Sequence, residues 1–171
     1  MKIIYKRVFS AVVPWIVFGF SCSAVALTLT FDEPFIEHGT IIDDQYNDQG
    51  VTIHAVNVGG GPDLAVAYDT TPRAANSVSN RDPDLTGDWG YGNALVLQEN
   101  TRCSSLTCYL ADDEGSRPSG SIFLEFDTVI NGFSFDFIDF EQPEITGAAV
   151  RYLDENANEV GSIAFADLSG A

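Results

Sequence analysis

The residues best placed to do chemistry are acids, gathered in four groups: Asp32-Glu33, Asp43-Asp44 with Asp48, the run Asp82-Pro-Asp84-Leu-Thr-Gly-Asp88, and Asp112-Asp113-Glu114. Hard cations suit such groups, because calcium takes six to eight oxygen ligands from carboxylates, amides and backbone carbonyls. The third group has the most specific spacing. Asp82, Asp84, Thr86 and Asp88 stand at alternate positions and Gly87 permits a sharp turn, as in the first half of a twelve-residue calcium loop. Asn93 occupies the twelfth position where such loops carry a bidentate Glu, and Pro83 interrupts the run. A helix-flanked calcium loop is therefore excluded, while a calcium site and a solvated loop of turn residues both stay open. Asp32 and Glu33 are the second set of metal candidates.

Directly after the acidic run comes Trp89-Gly-Tyr91-Gly-Asn93. Glycines beside Trp89 and Tyr91 would leave the rings uncovered for stacking on a sugar, with Asn93 as a hydrogen-bonding partner. The competing reading has Trp89 plugging the core under a long loop. Gly59-Gly60-Gly61 reads as a flexible turn. Catalytic patterns are sparse: the sequence has no Gly-x-Ser-x-Gly elbow, no His-Glu-x-x-His helix and no phosphate-cradling glycine loop. His38 and His54 are isolated, one in a loop and one in an expected strand, and the strand residue His54 reads as a packed or half-exposed neutral residue. A glycoside hydrolase or lyase needs only two carboxylates, so that reading stays beside the binding one, as does a purely structural matrix protein.

Charge excludes one class of partner. With 8 Lys plus Arg against 25 Asp plus Glu, the formal net charge is −17, and no basic patch is available to hold nucleic acid. Lys2, Lys6 and Arg7 precede an apolar run over 8–20 and the small residues Ala24-Val25-Ala26, the pattern of a secretory signal peptide spanning 1–26. The run is short for a membrane span and contains Pro14. A lipoprotein reading through Cys22 is opposed by Gly19 where a lipobox wants Leu. Removing the signal takes three basic residues and no acid, so the exported chain would carry −20 and no Lys. In that compartment Cys103 and Cys108 are expected to form a local disulfide, rather than half of a zinc site for which no second pair exists.

The elements that must position these groups are strands. Short runs of β-branched and aromatic residues alternate with Gly, Pro, Asn and Asp. Strands are expected at 27–31, 50–56, 64–68, 94–98, 120–126, 133–140, 148–153 and 159–165. Phe133, Phe135 and Phe137 alternate with polar residues and are expected to face a core. Asp154-Glu-Asn-Ala-Asn158 is expected to close a hairpin. Together these describe one all-β domain over 27–171, an antiparallel β-sandwich of jelly-roll kind with about eight strands. The sequence stops at Ala171 soon after the last strand, so either that strand closes the sandwich or a final strand has been lost by truncation.

Several segments resemble a known group, the secreted bacterial β-sandwich proteins that often carry a PEP-CTERM sorting signal. They are Leu27-Thr-Leu-Thr-Phe-Asp-Glu33, Gly39-Thr-Ile-Ile-Asp43 with Tyr46, Gly50-Val-Thr-Ile53, Ala67-Tyr-Asp-Thr70, Asp82-Pro-Asp-Leu85, Gly92-Asn-Ala-Leu-Val-Leu-Gln98 and Gly120-Ser-Ile-Phe-Leu-Glu-Phe126. The resemblance implies a noncatalytic extracellular domain associated with exported polysaccharide or surface matrix. The Pro-Glu-Pro motif, hydrophobic helix and basic tail of that signal are absent from this sequence.

Overall fold

The computed structural model describes residues 27–71, 85–87, 90, 92–111, 118–130, 132–136, 138 and 147–168. The signal peptide expected at 1–26 lies outside them.

Strand β1 (Val51–Asn57) alternates as its sequence requires: Val51, Ile53 and Ala55 are buried while His54 and Val56 face out. It pairs antiparallel with β4 (Gly120–Phe126), with Ile53 opposite Leu124. Strand β2 (Ala65–Asp69) is buried along its whole length and pairs antiparallel with β3 (Asn93–Leu97), with Val66 opposite Val96. The last pair is the hairpin of β5 (Ala149–Leu153) and β6 (Glu159–Ala164), followed by a helical turn, Phe165–Leu168.

Strand β2 is buried on both sides because each of its faces meets a different apolar cluster. Ala65 and Ala67 join Ile36, Ile42, Tyr46, Val51, Ile53 and Ala55, and the partly buried Leu95, Leu97, Ile122, Leu124 and Phe126 close around them. The β1–β4 and β2–β3 ladders thus share one core. Val66 and Tyr68 point the other way, into a cluster with Ile41, Leu85, Val96, Cys108 and Ala111. Each fully buried Val, Ile or Leu side chain in such a cluster contributes about 1.5–3 kcal/mol.

The β2–β3 sheet extends beyond its two named strands. Residues 39–42 run beside β2, with the Gly39 and Ile42 amides donating to Ala67 and Ala65, and the Ala67 amide donating to Thr40. The far edge of 39–42 takes up 106–108 through Thr40 opposite Thr107. The same segment leads into β1, where the Ile53 amide donates to Asp43.

Two expected strands form no ladder over their described residues. Residues 27–31 form no ladder, although Leu29 and Phe31 still pack on the core. Phe31 has φ 59°, a left-handed conformation that ends an extended run. It is held there by the Asn93 side chain, whose Nδ2 donates to its carbonyl (2.7 Å), and by edge-to-face packing on Tyr46. At 132–136 the chain is also without a ladder, and Phe133 and Phe135 are 40% and 41% exposed. Their rings form a short row from the end of β4, Phe126 to Phe133 at 6.0 Å and Phe133 to Phe135 at 5.1 Å. Alternation gives one-sided burial only when a second sheet covers that side, which explains the difference; Phe137 lies outside the described residues.

Gly59-Gly60-Gly61 is likewise no loose turn. Asn57 Oδ1 accepts the amides of Gly59 and Gly61 at 2.8 and 3.1 Å. A Cβ at Gly61 would lie 2.6 and 2.8 Å from the carbonyl oxygens of Glu99 and Gln98. Glycine is required there by close backbone approach, not by a need for flexibility.

Candidate functional site

The end of β2 and the start of β3 bring together three of the described residues on which chemistry was expected, Asp32, Thr86 and Asn93. Asp69, the last residue of β2, is buried, and its Oδ1 accepts both the amide and the hydroxyl of Thr71. Thr70 follows, also buried. Its amide and hydroxyl both donate to the Gly92 carbonyl, at 2.9 and 2.7 Å, and its own carbonyl accepts the Gly87 amide at 3.0 Å. One threonine therefore ties together both ends of the 87–92 loop.

Asp32 reaches the same place from far away in the chain. Its Oδ1 accepts the Asn93 amide at 2.8 Å. A Cβ on Gly92, which has φ 70°, would fall 2.3 Å from that oxygen, so glycine permits the approach. Asp32 is exposed, and its carboxylate caps the first outward amide of β3.

Glu33 parts from Asp32. Its Oε2 accepts the Tyr46 hydroxyl at 2.7 Å. Burial is the main cause that lifts the Tyr46 hydroxyl well above its ordinary pKa; the bond to Glu33 and that residue's negative charge add to it. Thr86 lies 3.3 Å, oxygen to oxygen, from the Tyr68 hydroxyl. The Asn93 side chain donates to the carbonyls of Phe31 and Ile36, at 2.7 and 3.5 Å, so it staples the 31–36 segment to β3. Asp82, Asp84, Asp88, Trp89 and Tyr91 lie outside the described residues, as do Asp112, Asp113 and Glu114.

Asp43, Asp44 and Asp48 sit in a tight turn ahead of β1, where Asp43 Oδ1 accepts the Asp44 amide at 2.7 Å. Among the described residues, no three His, Cys, Asp or Glu side chains converge as a metal-ligand set. Cys103 and Cys108 are joined in a disulfide. His38 Nδ1 accepts the Asp69 amide at 3.2 Å, and its ring packs edge-on against Tyr68. His54 stacks on Phe123 across the outward face of β1–β4, with Glu125 3.9 Å away. Each histidine ring thus lies against an aromatic ring.

Sequence reading passed over Thr70 and Asn57, which organise the two loops flanking β2 and β3. A signal existed for each: a Thr pair follows a strand in Asp69-Thr70-Thr71, and an Asn precedes a glycine run in Asn57-Val-Gly. Among the described residues, no helix is long and apolar enough to cross a membrane. No family model, no curated protein and no solved structure matches the chain.

Proposed function

We propose that the protein is a secreted, noncatalytic β-sandwich of jelly-roll type that binds calcium and engages extracellular polysaccharide, through the cation or through Trp89 and Tyr91. One observation carries the reading: Asp32, of the first acidic pair, lies against Gly92 and Asn93 at the downstream end of the acidic loop. The first acidic pair thus reaches the chain that follows the acidic run in sequence. Counterions there would offset part of the self-repulsion of a chain with net charge −17, or −20 after loss of residues 1–26. The sandwich itself is supported by the shared core of the β1–β4 and β2–β3 ladders.

Calorimetric titration with calcium chloride, paired with melting scans with and without a chelator, tests the proposal. Binding heat and a chelator-sensitive rise in Tm are expected, because a ligand held only by the folded state stabilises it by about 2.7 kcal/mol at a hundredfold excess over Kd. Absence of heat together with an unchanged Tm would overturn it.

A further inference from the structure

Among the described residues the 103–108 hairpin is the outermost part of the β2–β3 sheet, closed by its disulfide and by Ser104 Oγ, which accepts the Leu106 and Thr107 amides. Inside the hairpin the Ser104 amide donates to Thr107 (2.7 Å) and the Tyr109 amide to Arg102 (2.9 Å). Two backbone bonds tie it to the neighbouring segment, Cys108 to Gly39 (2.7 Å) and Ile41 to Leu106 (3.1 Å). Its larger apolar side chains do not anchor it, since Leu106 and Tyr109 are 74% and 73% exposed. Isolated two-stranded hairpins are marginal in water. Beyond the hairpin the chain is pinned again, because the Leu110 carbonyl accepts the side-chain amides of Gln98 (2.8 Å) and Asn100 (2.9 Å).

The two sulfurs sit in different surroundings. Cys108 is 2% exposed, within the cluster of Ile41, Val66, Tyr68, Leu85 and Val96, whereas Cys103 is half-buried at its rim. A thiolate arriving from solvent meets the Cys103 sulfur first. Attack there breaks the S–S bond and sends the Cys108 sulfur away as a thiolate. Apolar surroundings disfavour that anion, which is relieved by taking up a proton or by Cys108 moving out to water. Leaving the cluster means giving up the ladder bonds at Gly39 and Ile41.

We infer that the Cys103–Cys108 disulfide is a redox clamp: opening it by a dithiol detaches 106–108 and bares the outer edge of 39–42, while β2–β3 and the chain from Leu110 onward stay in place. The exchange balances. The dithiol's first sulfur forms a mixed disulfide with Cys103; its second displaces Cys103; the dithiol ends as a cyclic disulfide and both cysteines as thiols, a two-electron transfer. An edge bared in this way offers unpaired backbone groups to another extended chain.

Amide hydrogen exchange before and after dithiothreitol treatment is the test. On reduction the Ile41 and Cys108 amides are expected to exchange at least about tenfold faster, with Val66 and Val96, paired across β2–β3, unchanged. Unchanged rates at Ile41 and Cys108 would overturn the clamp. Acceleration of all four together would do so too, since the bridge would then support the whole fold. Resistance of the native bridge to dithiothreitol counts equally against it. Iodoacetamide labelling of the reduced native protein adds an independent readout: both cysteines should label at similar rates, and protection of Cys108 alone would show that it stays in the core.

Discussion

The side-chain amide of Asn57, the last residue of β1, donates to the backbone carbonyl of Gln98, which directly follows β3, at 2.9 Å. Its oxygen meanwhile accepts from Gly59 and Gly61, and its backbone amide donates to Asp63 at 2.7 Å. One residue thereby closes the 57–63 turn and fastens it to the neighbouring sheet.

Replacing Asn57 should accordingly cost more than a surface change. Asn57→Ala is expected to lower stability by about 1–3 kcal/mol, because the partly buried amides and carbonyl lose their partners. Asn57→Asp keeps the acceptor for Gly59 and Gly61 and should fall between. Gly61→Ala should be at least as damaging, because the atoms it would meet include two backbone oxygens. Urea unfolding midpoints check the order.

Asp32 offers a way to separate a structural role from a ligand role. Asp32→Asn preserves an oxygen acceptor for the Asn93 amide, so stability without calcium should change by less than about 0.5 kcal/mol. Asp32→Ala removes the acceptor and should cost about 1 kcal/mol. If calcium is held there, Asp32→Asn should also lose most of the calcium-dependent rise in Tm; melting scans of both variants, with calcium and with chelator, read the two effects apart.

Tyr46 gives a dependence on alkaline pH. The unfolded chain releases this proton near the ordinary tyrosine value of about 10. The folded chain, with Tyr46 buried against Glu33, retains it to higher pH. Above that value the unfolded state binds fewer protons, so the Tyr46 contribution falls as pH rises. Tyr46→Phe should cost about 1–2 kcal/mol at pH 7 by leaving Glu33 without its donor. The gap between wild type and variant should narrow at pH 11, as measured by denaturant unfolding at both pH values.

The β5–β6 turn should be acid-sensitive. Asp154 accepts the amides of Asn156 and Asn158 and the Asn158 side chain, and these bonds hold its carboxyl below the usual aspartate range. A lowered folded-state pKa means that the contribution is complete above the unfolded value and is lost as pH falls through the folded one. Amide protection in β5 and β6, relative to the intrinsic exchange rate at each pH, should therefore fall on acidification sooner than in β1 and β4. Ala157, with φ 60°, is strained in the same turn. Ala157→Gly should slow exchange there, since glycine adopts that conformation at less cost.

Much of this molecule is written in local patterns. Alternation in 51–57 and 120–126, the unbroken apolar run in 64–68 and the turn residues at 154–158 correspond to strands and a hairpin at nearly the expected bounds, because side-chain periodicity and turn chemistry act over a few residues. Cys103 and Cys108 pair because their spacing closes a small hairpin. What local pattern could not carry was the choice between faces and partners. Residues 27–31 and 133–136 have strand composition, yet a ladder needs a partner edge, and they have none among the described residues. Asn93 and Asp32 read as ligands from their types. Tertiary packing sets them against each other and against Phe31 and Gly92, where their hydrogen bonds hold the chain together. Residue type and spacing decide which hydrogen bonds and burials are possible. Only contacts between distant segments decide which of them form, because each group can satisfy its bonds once and closing a long loop must be offset by the partner it finds.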